Sequence, residues 1–333
     1  MNGATRIIDD IPTAIDTVPN SWENAARFLM GLRLAGAETD CPKCGCPGLP
    51  FTRWTKGPKV KPIHFCHIDL KGSLTTCELD EPSARPVQAE YDLGNDDILG
   101  LVRNAKPFVL FSGGKDSLAT LAYMKDIAAI AGKTITALHV DTTVGFPEVE
   151  VYVRDTCAKL EVQLEVVKPQ SDYFSLVADW GIPAFNSRWC CRELKIKPLS
   201  TFLQGIDGAK IVFDGIRAAE SHVRAKYMPF WFHPGFGCLS VSPIFRWSDE
   251  DVQGYIKDQE LPQGDHLALG TSGECWCGAY KKRSDFEALC RLNPDLYDKL
   301  SEVEANNRNG FTFVYENGER ISLQSIRHAL EAG

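Results

Sequence analysis

The chain has 333 residues, of which 44% are hydrophobic, with a formal net charge of −8 and twelve cysteines. That apolar content can bury one large core or two smaller ones, while no run reaches the ~18 apolar residues of a membrane span and the start lacks a basic-then-apolar leader, so a cytoplasmic protein is expected. The acidic balance excludes a global attraction for nucleic acid but not a local basic patch, and so many cysteines in a long chain point to metal or redox use rather than a secreted disulfide scaffold.

Residues 21–37 place Trp22, Ala25, Ala26, Leu29, Leu32 and Leu34 near helical spacing and predict a short amphipathic helix. A zinc-ribbon-like segment follows. Cys41 and Cys44 form a C-x2-C turn, and Cys66 and Cys77 are placed to close a four-thiolate site for Zn²⁺, with Cys46, His64 and His67 as rival ligands. Such a site has no open position, so its role is structural or in recognition; a set of free buried thiols is the alternative. Residues 81–97, rich in Pro and acids, read as a linker.

From Phe108 the pattern alternates. Strands are expected at 108–111, 134–140, 163–167 and 210–214, and helices at 117–130, 147–160, 172–180 and 193–203. Apolar β-branched runs separated by helical stretches give an α/β fold, a doubly wound parallel sheet with ligands beyond the carboxyl ends of its strands. The first strand runs into Ser112-Gly113-Gly114-Lys115-Asp116-Ser117 and then a helix. Two glycines let the backbone turn its N–H groups inward, and the helix dipole and Lys115 favour an anion there. A plain strand–turn–helix connection is the bland alternative. Asp141-Thr142 ends the second strand, where a carboxylate can accept from a ribose or an adenine edge, hold a metal ion, or merely cap a helix. Gly215-Ile216-Arg217 ends the fourth in the same way, with Arg217 either gripping phosphate or forming a surface ion pair.

Two distant cysteine sets remain. Cys190-Cys191 lies between Arg188 and Arg192 at a loop-to-helix junction that favours thiolates, and Cys275-Trp276-Cys277 follows a Pro/Gly loop. Thiolates gathered from separate parts of a chain commonly hold an iron–sulfur cluster; a zinc site or reduced catalytic thiols are the other readings. Beyond Cys290 a helix to about residue 305, an Asn317-Gly318 hairpin and a final helix ending at Ala332 are expected.

The hexapeptide Ser112–Ser117 resembles the PP-loop of the N-type ATP pyrophosphatases. With the blocks HVDTTVGFPE, SRWCCRELKIKPL, GIRAAES and SPIFRWSDEDVQGYI, over roughly residues 105–280, the chain resembles the phosphoadenosine phosphosulfate (PAPS) reductase family. The resemblance implies an adenine nucleotide alpha hydrolase-like fold. It implies nucleotide binding by Ser112, Gly113, Gly114, Lys115, Asp116 and Ser117 with Asp141, Thr142, Gly215 and Arg217, and catalysis by Lys115, Asp116 and Arg217. It further implies a [4Fe-4S] cluster on Cys190, Cys191, Cys275 and Cys277. The C-x-C spacing departs from the C-x-x-C of cluster-bearing relatives, leaving Cys191, Cys238 or Cys290 as the fourth ligand.

The organisation expected is an N-terminal helical segment (1–40), a zinc-ribbon-like segment (41–80), a linker (81–97), a PP-loop nucleotide-binding domain (98–262) and a cluster-binding, hairpin and helix region (263–333). The intact loop and the absence of a cysteine from the tail Leu330–Gly333 favour an enzyme that uses ATP and Mg²⁺ to activate an acceptor, releases pyrophosphate and transfers sulfur. This is similar in style to the DndC-type proteins of DNA phosphorothioation, with nucleic acid as acceptor and a cysteine desulfurase as sulfur donor. The alternatives are a sulfonucleotide reductase that makes sulfite from adenylyl sulfate (APS) or PAPS, and a non-catalytic nucleotide-binding module.

Overall fold

The computed structural model describes residues 94–333, apart from 185–186, 228, 234, 270–272, 308–309 and 333, together with the backbone of four strands nearer the start. Those strands, β1 (Thr39–Asp40), β2 (Pro47–Thr52), β3 (Ile63–Ile68) and β4 (Leu74–Glu78), pair antiparallel in sequence order. Cys66 stands opposite Leu49 and Thr76, and Cys77 opposite Phe65. Cys41, Cys44 and the helix expected over 21–37 lie outside the described residues.

The main sheet has six strands: β5 (Lys106–Leu110), β6 (Thr136–Val140), β7 (Gln163–Val167), β8 (Lys210–Phe213), β9 (Phe230–His233) and β10 (Cys238–Val241), in the order β7-β6-β5-β8-β10-β9. The pairs β6–β7, β5–β8 and β8–β10 are parallel, and β9 is an antiparallel edge. The flanking helices include α1 (Asn95–Asn104), α2 (Lys115–Ile130), α3 (Pro147–Lys159), α4 (Tyr173–Trp180), α5 (Lys197–Gln204) and α6 (Asp249–Asp258). The expected mostly parallel α/β fold is therefore the fold of the chain. Ile211, Val212 and Phe213 are fully buried, as an unbroken apolar run in a sheet covered on both faces requires. Around α2, Leu118, Ala119, Leu121 and Met124 are also fully buried, so this helix is apolar on most of its circumference. Each of these side chains larger than alanine contributes about 1.5–3 kcal/mol by leaving water.

Three local expectations are corrected. The helix expected over 193–203 begins as a π-helix, Cys191–Ile196, and turns α-helical only in α5. The single helix expected to about 305 is two, α7 (Arg283–Leu292) and α8 (Pro294–Asn306), because Pro294 has no N–H to continue the first and sits at the first position of the second, where Asn293 caps it. The hairpin strands are β11 (Val314–Glu316) and β12 (Glu319–Ile321), shorter than expected, and α9 (Leu323–Ala332) closes the chain. The strands β9 and β10 had no counterpart among the expected elements.

The chain falls into two compact units, Met1–Val109 with Tyr123–Ile135 and Ile206–Asp251, and Leu110–Ala122 with Thr136–Gly205 and Val252–Gly333. The second unit holds the hexapeptide loop and both cysteine sets.

Candidate nucleotide and sulfur site

The loop Ser112–Ser117 leaves the carboxyl end of β5, the strand at which the chain order of the sheet reverses, where open α/β sheets place their ligands. Gly113 adopts φ +83°, and a Cβ there would lie 3.0 Å from Val149 Cγ1. Both facts demand glycine. The Ser112 and Ser117 hydroxyls lie 3.1 Å apart; Ser112 N–H donates to Ser117 Oγ at 3.2 Å, Gly114 N–H to Ser112 Oγ at 3.3 Å, and Ser117 Oγ–H to the Gly114 carbonyl at 2.9 Å. The first two amide contacts are long, so an anionic oxygen competes readily for those N–H groups. The opening turn of α2 adds N–H groups that helix geometry leaves unbonded and the positive end of its dipole. Lys115 Nζ is 3.3 Å from Asp116 Oδ1, with about a third of its side chain exposed.

Two buried histidines that the sequence reading passed over hold this loop. His139 Nδ1 bonds the Phe111 carbonyl at 2.8 Å and His266 Nε2 the Gly113 carbonyl at 3.0 Å; a carbonyl only accepts, so both ring nitrogens carry the hydrogen.

Asp141 and Thr142 shape the turn after β6. Asp141 Oδ1 accepts from Thr143 N–H at 2.8 Å and Oδ2 pairs with Lys168 at 2.9 Å. Burial alone would raise the Asp141 carboxyl, but Lys168 and the Thr143 N–H outweigh it and hold it below the usual carboxylate range. The bond to Thr143 fixes a β-branched residue at φ +62°, a strained conformation that its hydroxyl further secures by accepting from Tyr173 N–H at 2.7 Å.

The second cysteine arm docks on this same turn. Thr142 donates its hydroxyl to the Glu274 carbonyl, Phe146 N–H donates to the Gly273 carbonyl at 3.0 Å, and Trp276 N–H to the Val144 carbonyl at 2.8 Å. Gly145 permits the approach, since a Cβ there would stand 2.6 Å from the Glu274 carbonyl oxygen.

The four expected cluster cysteines converge. Cys190 and Cys277 bring their sulfurs to 3.3 Å. Cys190 also bonds the Cys191 sulfur, which pushes the Cys190 thiol up to about 12 and draws Cys191 down. Its contact with Cys190 moves Cys277 up to about 11, and the contact with Cys277, with burial, raises Cys275. The expected arginines do not supply the local positive charge. Arg188 donates to Tyr280 and Arg192 pairs with Glu193, whereas Lys195, paired with Glu274 at 3.0 Å, is the cation beside Cys191 and Cys275. Among the described residues no three or more His, Cys, Asp or Glu side chains are disposed to hold a single metal ion. The donor set itself, four thiols, is of the soft kind that iron–sulfur clusters take. Cys238 lies in the first unit, buried with its thiol pushed up to about 12, and Cys290 lies on α7.

Gly215 and Arg217 belong to the first unit. Arg217 is 1% exposed, donating to the Trp247 carbonyl at 3.1 Å and to Asp249 at 2.8 Å. The loop that carries it is anchored by Asp214, whose buried carboxylate accepts from Ser240, Ser242 and Ile216 N–H.

Residues 106–265 match the phosphoadenosine phosphosulfate reductase domain, so that this stretch is similar to the PAPS reductase family. It is 28% identical over 214 residues to an uncharacterized protein of Methanocaldococcus jannaschii, covering 62% of this chain and 44% of that one. It is 30% identical over 152 residues to the adenosine 5′-phosphosulfate reductase of Streptomyces coelicolor, covering 43% and 62%. It is 30% identical over 179 residues to sulfate adenylyltransferase subunit 2 of Streptomyces lavendulae, covering 47% and 54%. The chain thus spans about half the length of these relatives. No helix among the described residues is long and apolar enough to cross a membrane.

Proposed function

We propose that the chain is an enzyme that binds ATP through Ser112–Ser117, uses it to activate an acceptor oxygen, and brings sulfur to the activated acceptor. The observation that carries this reading is the placement, in one compact unit, of an unaltered phosphate cradle and a thiol set whose second arm is bonded to the turn after β6. In the reaction an acceptor oxygen attacks the α-phosphorus of ATP, the bond to the bridging oxygen breaks and pyrophosphate leaves. The terminal sulfur of a cysteine desulfurase persulfide then attacks the activated acceptor and displaces AMP, and a second thiol cleaves the resulting mixed disulfide, leaving the sulfur on the acceptor and a disulfide between the two thiols.

The loop amides and Lys115 hold the β- and γ-phosphoryls and stabilise the charge that grows on the leaving pyrophosphate. Asp116 keeps the Lys115 ammonium oriented across the cradle. Mg²⁺, which Asp141 would help to hold, screens phosphate charge when bound with the nucleotide. Cys190, Cys191, Cys275 and Cys277 would hold an iron–sulfur cluster, which supplies electron transfer or carries sulfide when bound. Lys195 offsets the negative charge of those thiolates. For the acceptor we take nucleic acid, on the resemblance of the Arg188–Arg192 block to the DNA phosphorothioation proteins.

A second reading, reduction of adenylyl sulfate to sulfite, is favoured by the similarity to the Streptomyces coelicolor reductase. One experiment separates the two. Protein purified without oxygen is given Mg²⁺ and ATP with single-stranded DNA as acceptor, and in parallel adenylyl sulfate with reduced thioredoxin. Pyrophosphate supports the first reading, sulfite without pyrophosphate supports the second, nucleotide binding with neither product supports the non-catalytic nucleotide-binding module, and binding of neither nucleotide overturns all three.

A further inference from the structure

Three glycines crowd around one imidazole. A Cβ on Gly264 would lie 2.5 Å from His266 Cε1, one on Gly113 3.6 Å from its Nε2, and one on Gly273 3.6 Å from its Cδ2. Gly113 and Gly273 both have positive φ, and both also abut Val149, at 3.0 and 2.8 Å from the same Cβ positions. The phosphate loop and the root of the second cysteine arm are thus spaced by the same two side chains. His266 is 8% exposed, packs edge-on against Tyr152 with ring centroids 4.9 Å apart, and spends its Nε2–H on the Gly113 carbonyl. Tyr152 in turn donates to the Pro262 carbonyl at 2.9 Å, so the segment that carries His266 is anchored at its start.

From this packing we infer that His266 is a positioning residue that ties the phosphate loop to the thiol arm. The Gly113 carbonyl and the Gly114 N–H belong to one planar peptide and point in opposite directions. Holding the carbonyl on His266 therefore aims the Gly114 N–H, one of the amides offered to phosphate. When phosphate draws on that amide, the peptide tightens against His266, whose Cδ2, next to Nε2 in the ring, faces Gly273 where a Cβ would come to 3.6 Å, two residues before Cys275. Nothing here requires His266 to touch the nucleotide. The inference rests on the nucleotide reading above and adds to it a coupling between loop occupancy and the order of the thiol arm.

The test compares wild type, His266→Gln and His266→Phe. Glutamine keeps an N–H donor at similar reach; phenylalanine keeps the ring against Tyr152 and loses the donor. The probe is an ATP analogue with a methylene bridge between the α- and β-phosphorus atoms, and the readouts are its equilibrium affinity and amide hydrogen exchange in peptides covering 112–117 and 273–277. Glutamine is expected to stay within roughly twofold of wild-type affinity, while phenylalanine weakens binding roughly tenfold, the scale one hydrogen bond controls. The analogue is expected to slow exchange in both peptides in wild type and His266→Gln, but only in 112–117 in His266→Phe. Equal affinity and equal slowing of 273–277 in the phenylalanine variant would overturn the inference. If wild type binds no nucleotide the functional reading falls by itself. His266 is then judged on exchange without nucleotide, which must be several-fold faster in both peptides of His266→Phe and near wild type in His266→Gln.

Discussion

Replacing Gly145 with alanine tests whether the thiol arm is seated by backbone contact on the turn after β6. Gly145 lies outside the left-handed region, so alanine brings no backbone strain and the effect is purely steric. The new Cβ would meet the Glu274 carbonyl oxygen at 2.6 Å, its carbon at 3.1 Å and the Gly273 carbonyl oxygen at 3.3 Å. All three atoms are main chain and cannot rotate aside. Relief requires the 273–276 segment to lift, which breaks its bonds to Thr142, Phe146 and Val144. At about 1 kcal/mol each this is a loss of about 3 kcal/mol, in line with the 1–3 kcal/mol typical of overpacking. Exchange at the Trp276 amide should therefore accelerate by about two orders of magnitude, since each 1.4 kcal/mol is roughly tenfold. Amide exchange read by mass spectrometry, with the near-ultraviolet signal of the buried Trp276 as a second probe, gives the measurement. ATP affinity at the loop should fall far less than arm protection. A Gly145→Ala protein whose Trp276 amide is as protected as in wild type would refute the docking argument.

Three further outcomes are expected. Lys115→Ala should weaken ATP binding by roughly 10- to 100-fold, the scale of one charge-assisted hydrogen bond, with the thermal midpoint nearly unchanged because the side chain is partly exposed; calorimetric titration checks both. Stability of the first unit should fall as pH drops from about 6.5 to about 4. Burial draws His233 down to about 4, and its Nδ1 accepts from Phe236 N–H at 3.1 Å, a bond that protonation of that nitrogen destroys. The unfolded chain binds this proton first, so the contribution is complete above pH 6.5 and lost on the way down; thermal melts across that range should lose this slope in His233→Phe. Gly254→Ala in α6, where a Cβ meets nothing within 4 Å and φ is ordinary, should stabilise by up to about 1 kcal/mol in urea denaturation, a direction opposite to Gly145→Ala.

Strands β5 and β8 were readable because Phe108–Phe111 and Ile211–Phe213 are unbroken apolar runs that lead to a glycine turn. The edge strand β9 and its partner β10 were not. Phe230–His233 is followed by a proline and two glycines, a pattern equally suited to a loop, and only pairing with β10 makes it a strand. The start of the helix that follows Cys190-Cys191 was misjudged for a related reason. Local periodicity does not distinguish i→i+4 from i→i+5 bonding, and in the fold the π-helical turn buries Leu194 and pairs Lys195 with Glu274.

The amino-acid order alone determined the glycine turn Ser112–Ser117, because a Gly-Gly turn between an apolar run and a helix start has few conformations. It also determined that the paired cysteines were too concentrated to be chance packing. The tertiary structure decided the rest. It made Lys195, not Arg188 or Arg192, the cation beside the thiols, it buried Arg217 against Asp249, and it put the His266 ring between Gly113 and Gly273. Such facts depend on which distant carbonyls and side chains share a few ångströms after folding, and no local pattern encodes a separation of 153 residues between a histidine and the carbonyl it holds.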